Sequence, residues 1–225
     1  MARGIGKRAL VGGHDVTLVG KNSEHADGAV AALREGNGNG SVDGAVAGDS
    51  LAGDLVVLAV YYDDARAAVE ALRDDLAGKT VVDVTNPVDE SFDGLVVPPD
   101  SSATQELAKA APDARFVKAF NTTFASTVQA GEAGGQPLDV LIAGDDEEAK
   151  AAVATLVRDG GLNPVDVGSQ RRARELEALG LLHMTIQDEL GTGYGSCVWV
   201  DEGWPGLVAA SHVALADELR AFVCS

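Results

Sequence analysis

Residues 2–19 read ARGIGKRALVGGHDVTLV, and the way this stretch is divided decides the fold. Gly4-Ile5-Gly6-Lys7-Arg8-Ala9 satisfies the glycine fingerprint G-x-G-x-x-A letter for letter. That fingerprint works only between a strand that feeds the turn and a helix that leaves it. Here three residues precede Gly4, too few for the strand, and the chain left before Asp15 is too short for a crossover helix. The stretch reads better as a helix over Ala2 to about Val11, stopped by Gly12-Gly13, followed by a strand over Asp15–Val19. The strand and the phosphate-binding turn that should precede such a helix are then absent. Met1 and Ala2 become the last two positions of the fingerprint, with Ala2 in the third-glycine slot. A start at an internal methionine is the simplest cause, and a natural variant without that strand is the alternative.

Outward from there, short β-branched runs alternate with alanine-rich helical stretches. Strands are expected at Leu55–Val60, Thr80–Val84, Arg115–Ala119, Leu138–Ala143 and Asn163–Val167. Helices are expected at Ser23–Leu33 with Ser23 as cap, and at Asp63–Leu76 with Asp63 or Asp64 as cap. Further helices are expected at Ser102–Ala110, Asp146–Arg158 and Ser169 to about Gln187. Continuous apolar strands separated by helices indicate a parallel sheet covered on both faces. Right-handed crossovers then give an α/β doubly wound dinucleotide-binding (Rossmann) fold, lacking its first strand. Residues 1–200 form this domain, and residues 201–225, with a final helix over Ala209–Phe222, form a divergent C-terminal extension.

Composition narrows the function. The chain has 225 residues, 46% of them hydrophobic, enough for a core and too apolar for disorder. No apolar run is long enough to span a membrane, and no signal peptide is legible. The two cysteines, Cys197 and Cys224, read as reduced thiols of a cytoplasmic protein. The formal charge of −18 disfavours nucleic-acid binding, which needs basic surface. The acid is spread along the chain and rich in Asp, as on proteins that stay soluble in concentrated salt; an acidic protein without that adaptation is the alternative. No metal-ligand spacing and no Gly-x-Ser-x-Gly elbow occurs. Asp145-Asp146-Glu147-Glu148 reads as the acidic first turn of a helix, His183 as a core histidine and His14 as a surface residue.

After the first strand, an NAD binder would place an acidic residue against the ribose. Gly20-Lys21-Asn22-Ser23 stands there instead, and a cation with amide and hydroxyl donors suits the 2′-phosphate of NADP. The competing reading is a solvated loop lysine.

Residues 2–20 (ARGIGKRALVGGHDVTLVG), 81–88 (VVDVTNPV), 116–126 (FVKAFNTTFAS), 139–153 (DVLIAGDDEEAKAAV), 172–187 (RARELEALGLLHMTIQ) and 191–196 (GTGYGS) together resemble the NADP oxidoreductases dependent on coenzyme F420, an 8-hydroxy-5-deazaflavin. The same motifs are similar to those in the reductase domains of membrane metalloreductases, which pass hydride from NADPH to a flavin. The family opens on a strand and a Gly-x-Gly-Asn-Met-Ala loop that this sequence lacks. Trp199 stands where the resemblance suggests a lysine, and the sequence departs from the family after Asp201.

The resemblance implies that Lys21, Asn22 and Ser23 hold the 2′-phosphate. It implies that Val60 and Tyr61 line the path from adenosine to nicotinamide. Asn86 and Pro87, with Ala119, Phe120 and Asn121, would shape the nicotinamide pocket. These positions also end successive parallel strands, where ligands of such folds bind. Taken alone, Phe120 could be a core aromatic and Asn86 a turn residue before Pro87. The implied activity is hydride transfer between NADP(H) and coenzyme F420, with both as small-molecule partners, no acid–base dyad, and a homodimeric assembly. An enzyme with another acceptor, a flavin or an imine, and a non-catalytic NADP-sensing protein are the alternatives.

The acidic surface yields a first prediction. The melting temperature should rise between low salt and molar KCl; unchanged melting removes the case for adaptation to salt.

Overall fold

A computed structural model of the protein describes residues 1–34 and 38–200. The reading of residues 201–225, including the helix over Ala209–Phe222 and Cys224, lies outside them. Helix α1 spans Ala2–Val11 and ends at Gly12, and Gly13 adopts a left-handed φ of 81°. Gly4 and Gly6 are therefore helical, and no phosphate loop is built from them. Both are contact points. A Cβ on Gly4 would stand 3.0 Å from the carbonyl oxygen of Ala125, and one on Gly6 2.8 Å from Leu33 Cδ1. The fingerprint-like spacing is the mark of a helix packed closely on its neighbours.

Then follow β1 (Val16–Gly20), α2 (Ser23–Arg34), β2 (Val42–Val46), β3 (Leu55–Leu58), α3 (Tyr62–Ala71), α4 (Arg73–Leu76), β4 (Thr80–Asp83), α5 (Ala103–Ala110) and β5 (Arg115–Lys118). After them come α6 (Ala125–Ala130), a small hairpin of β6 (Glu132–Ala133) and β7 (Gln136–Pro137), β8 (Asp139–Gly144), α7 (Glu147–Asp159), β9 (Asn163–Gly168), a short 3-10 turn, α8 (Ala173–Thr185) and α9 (Gln187–Leu190).

The main sheet has the order β3-β4-β5-β8-β9. Its pairings are parallel except β5–β8, which is antiparallel and joins only Val117 to Gly144 and Lys118 to Ala143. Strands β1 and β2 form a separate two-stranded parallel sheet, and among the described residues no ladder joins β1 to β3.

Strand alternation assigns the two faces. Val82, Val117, Val140 and Ile142 pack with Ile5 of α1, Val128 of α6 and Val153 of α7. Val81 and Phe116 point the other way, onto Ala65, Val69 and Leu107 of α3 and α5, while Leu141 and Ala143 meet Leu176 of α8. Helices thus cover both faces of a mostly parallel sheet, as the sequence pattern requires.

Two helix starts differ from expectation. Asn22, not Ser23, caps α2: its Oδ1 accepts from the His25 amide at 2.9 Å. At α3 the cap position falls on Tyr61, and Asp63 and Asp64 lie inside the first turn, where their charge still complements the helix dipole. Ser102 and Asp146, expected as the first residues of their helices, stand one position before α5 and α7 and cap them through their side chains.

Glycines separate two effects that a substitution usually mixes. A Cβ on Gly28, inside α2, would meet nothing within 4 Å, so Gly28→Ala should raise stability by up to about 1 kcal/mol through helix propensity. Gly4→Ala gains the same propensity but must push α6 away, and should lower stability by about 1–2 kcal/mol. Denaturant unfolding of the two variants checks both signs.

Candidate functional site

The carboxyl ends of β1, β3, β4 and β5 carry the predicted residues, and the structure brings them together in two groups. In the first, Gly20 ends β1 so tightly that a Cβ there would lie 2.7 Å from the Ala26 amide nitrogen. The chain therefore turns directly into α2. Lys21 is exposed, its Nζ 3.9 Å from Asp64 Oδ1 at the start of α3. Asn22 is spent on the cap, and Ser23 is the exposed first residue of α2. Val60 and Tyr61 follow β3, and Tyr61 is 87% exposed, an unusual setting for a large aromatic ring. The Lys21–Asp64 approach places the β1–α2 and β3–α3 turns side by side.

The second group ends β4 and β5. Asn86 and Asn121 are bonded reciprocally: Asn86 Nδ2 donates to the Asn121 carbonyl at 2.8 Å, and Asn121 Nδ2 donates to Asn86 Oδ1 at 2.9 Å. Asn121 Nδ2 also donates to the Leu176 carbonyl of α8 at 2.8 Å. Asn86 is thus more than a turn residue before the buried Pro87: it staples two strand ends. Gly180 of α8 lies against this staple, where a Cβ would be 2.6 Å from Asn86 Oδ1. Two buried polar atoms here, Thr85 Oγ1 and Asn121 Oδ1, have no hydrogen-bond partner among the described residues.

Ala119 and Phe120 are buried, with Phe120 in the core among valines. Their side chains serve packing, and what they can offer a ligand is backbone. Phe120 holds a φ of 62°, a conformation costly for a bulky residue. Thr123 fixes it, donating to the Phe120 carbonyl through its amide at 3.2 Å and its hydroxyl at 2.7 Å. Met1 packs against the same core cluster, and burial pushes its amine below the usual range. Ala2 opens α1, whose first turn has no acidic residue.

Beneath the staple lies a cluster that the sequence reading missed. Lys118 is fully buried; its Nζ donates to Asp83 Oδ2 at 2.8 Å and to the Thr85 carbonyl at 2.6 Å, and stands 2.9 Å from Glu177 Oε1. Thr104 donates to Asp83 Oδ2 at 2.8 Å, and the Ala103 amide donates to Glu177 Oε2 at 3.1 Å. Burial pushes the Glu177 carboxyl above the usual range, against the pull of Lys118. Lys118 and Asp83 were detectable as charges inside FVKAF and VVDV, two otherwise apolar strands. Glu177, one acid on a mixed helix, carried no such signal.

His183 is a core histidine, as read: Thr122 O and Ser196 Oγ lie 3.2 and 2.8 Å from its two ring nitrogens, and burial lowers its pKa. His14 is partly exposed and pairs with Asp159 at 3.0 Å. Cys197 is buried. Among the described residues, no group of three or more His, Cys, Asp or Glu could hold a metal ion, and no helix is long and apolar enough to cross a membrane.

The staple can be tested by crowding it. Gly180→Ala should destabilise by about 1–3 kcal/mol, and adding Asn86→Ala should recover part of that loss. Additive unfolding energies across the two sites would mean that Gly180 does not pack on Asn86.

The comparisons with known proteins follow this geometry. Residues 1–87 match the family model described as NADP oxidoreductase coenzyme F420-dependent. Metalloreductase STEAP3 of Rattus norvegicus is 37% identical over 126 residues, 56% of this chain and 25% of that protein. The chain therefore spans about a quarter of that relative's length. F420-dependent NADP reductase of Methanothermobacter thermautotrophicus is 27% identical over 201 residues, 83% of this chain and 85% of that one. A solved structure from Arthrobacter sp. FB24, described as an F420-dependent NADP-reductase, superposes with a TM-score of 0.72 at 28% identity, covering 85% of this chain and 92% of the other. By sequence and fold together, the chain is similar to the coenzyme F420-dependent NADP oxidoreductases and shares their Rossmann-like α/β fold.

Proposed function

We propose that this protein moves hydride between NADP(H) and coenzyme F420, using residues 1–200 as its dinucleotide-binding unit. The observation that carries the reading is the Asn86–Asn121 staple at the carboxyl ends of two parallel strands, with Thr85 Oγ1 and Asn121 Oδ1 left over as partners. A hydroxyl and an amide oxygen at that place fit a carboxamide, which both donates and accepts.

Lys21 supports the choice of NADP. It is an exposed cation at the start of α2, held by a long approach to Asp64, and a phosphate would outcompete that carboxylate. Ser23 adds a hydroxyl beside it, and Asn22 fixes the helix start. Asn86 and Asn121 orient the nicotinamide edge, Phe120 sets the backbone around it, and Gly180 lets α8 close on the pair. NADP(H), when bound, supplies the hydride chemistry, so the chain needs geometry and a dry surface rather than an acid–base pair.

The acceptor is the finer part of the proposal. The reductases from the two microorganisms bear the coenzyme in their names, and the match to a metalloreductase over 126 residues, a group whose reductase domains the sequence motifs resemble, supports a flavin-type acceptor as the second reading.

Single-turnover mixing of NADPH with oxidised F420, followed by the deazaflavin absorbance, tests it. The expected result is loss of that absorbance, and a loss of NADPH affinity on the order of tenfold in Lys21→Ala with NADH affinity unchanged. NADPH binding without absorbance loss, together with turnover of a flavin, would move the assignment to the second reading. Binding without turnover of either would indicate a sensor.

A further inference from the structure

The buried cluster under the staple is unbalanced. It holds one cation, Lys118, and two carboxylates, Asp83 and Glu177, all fully buried. Water cannot screen the excess negative charge there. A chain of contacts ties the cluster to the pocket: Lys118 Nζ holds the Thr85 carbonyl, Asn86 follows Thr85, Asn86 bonds Asn121, and Asn121 bonds Leu176, the neighbour of Glu177. The charge therefore sits one layer below the atoms assigned to the nicotinamide.

We propose that the Asp83–Lys118–Glu177 cluster sets the preference of this pocket for the oxidised, positively charged nicotinamide over the reduced, neutral one, with Glu177 as the positioning residue that supplies the unbalanced charge. The inference rests on the NADP reading above. An ionised Glu177 leaves the cluster at a net charge of −1 and favours the cationic ring. A protonated Glu177 makes the cluster neutral and removes that preference.

Glu177 is the member placed to titrate, because burial already pushes its carboxyl upward. The groups that face it come from every neighbouring element. They are Lys118 of β5, Asp83 of β4 and the Ala103 amide of α5, with Tyr62 of α3, whose hydroxyl is raised by burial and also feels Arg66, Glu106, Glu177 and Asp83. Lys118 and the Ala103 amide favour the carboxylate; Asp83 and burial favour the acid. Protonation of Glu177 also loosens α8 from the staple, since it weakens the attraction to Lys118.

The test measures Kd for NADP+ and for NADPH, by quenching of intrinsic fluorescence, from pH 5 to pH 9. The ratio of the two constants cancels the titration of the 2′-phosphate, which both forms carry. In the unsubstituted protein, NADP+ should gain on NADPH as pH rises, by a factor on the order of ten, the effect of one unit charge across roughly 10 Å at an effective dielectric of about 20. Glu177→Gln should hold the ratio flat at its low-pH value, and Glu177→Asp should restore the pH dependence. A flat ratio in the unsubstituted protein overturns the inference even if Glu177→Gln fails to fold. An equal slope in a folded Glu177→Gln overturns it as well. In both cases nucleotide binding itself leaves the NADP reading standing, whereas failure to bind either nucleotide removes both.

Discussion

A lysine with no exposed side-chain surface lies between two carboxylates at the centre of this molecule. Taking such charges out of water costs several kcal/mol for each ion, and only close partners offset it. Lys118 therefore dictates where its neighbours stand. Asp83 must end β4 opposite it, in the register that pairs Asp83 with Lys118. Thr85 must present its carbonyl, α5 must start at Ala103 so that its amide and Thr104 reach the carboxylates, and α8 must bring Glu177 down. Loss of the cation alone would strand two acids, which makes this position less tolerant than any single apolar contact around it. The strand ends, the Asn86–Asn121 staple and the close passage of α8 at Gly180 all hang from this arrangement.

Much of the fold was legible because its signals are local. The glycine positions of α1, the helix starts near Ser102 and Asp146, and the apolar runs of β4 and β8 each express one nearby physical requirement. The false fingerprint at Gly4 and Gly6 was separable from a true one because a phosphate loop needs a strand before it, whereas a glycine-lined helix face does not. Other features were not legible. Strand β2 is VDGAV, with a polar residue and a glycine inside it, and it exists because β1 offers an edge. The β6–β7 hairpin has two residues per strand, too few for any periodicity. Asn22 won the α2 cap over Ser23 because the helix starts one residue earlier than the apolar pattern shows.

The site was legible at the level of strand ends and less so at the level of side chains. Parallel topology brings Asn86 and Asn121 to one edge, so their juxtaposition followed from the fold. What each side chain does there did not. Ala119 shares the face of Val117 by alternation, and the positive φ of Phe120 breaks that alternation and brings its ring into the same core cluster. Glu177 is distant in sequence from Asp83 and Lys118, and a helix tolerates an acid almost anywhere on its solvent face. Its burial is a tertiary fact, set by how α8 lies across the strand ends.

The interruption between β1 and β3 bears on how the two groups of site residues act together. A parallel strand is ordinarily buried on both faces, yet β1 alternates between half-buried and exposed, and β3 is buried only at Leu58. The Lys21 loop belongs to the smaller sheet and the Asn86–Asn121 staple to the larger one. They are joined through α1, which packs on α2 and α7 as well as α6, and through the approach of Lys21 to Asp64. A ligand that reached from Lys21 to the staple would therefore bind two sheets at once, and its binding energy would oppose their separation. Affinity and stability would then be coupled by the topology itself, because Lys21 and the staple, the groups proposed to recognise the two ends of a dinucleotide, sit on the two sheets that no ladder joins.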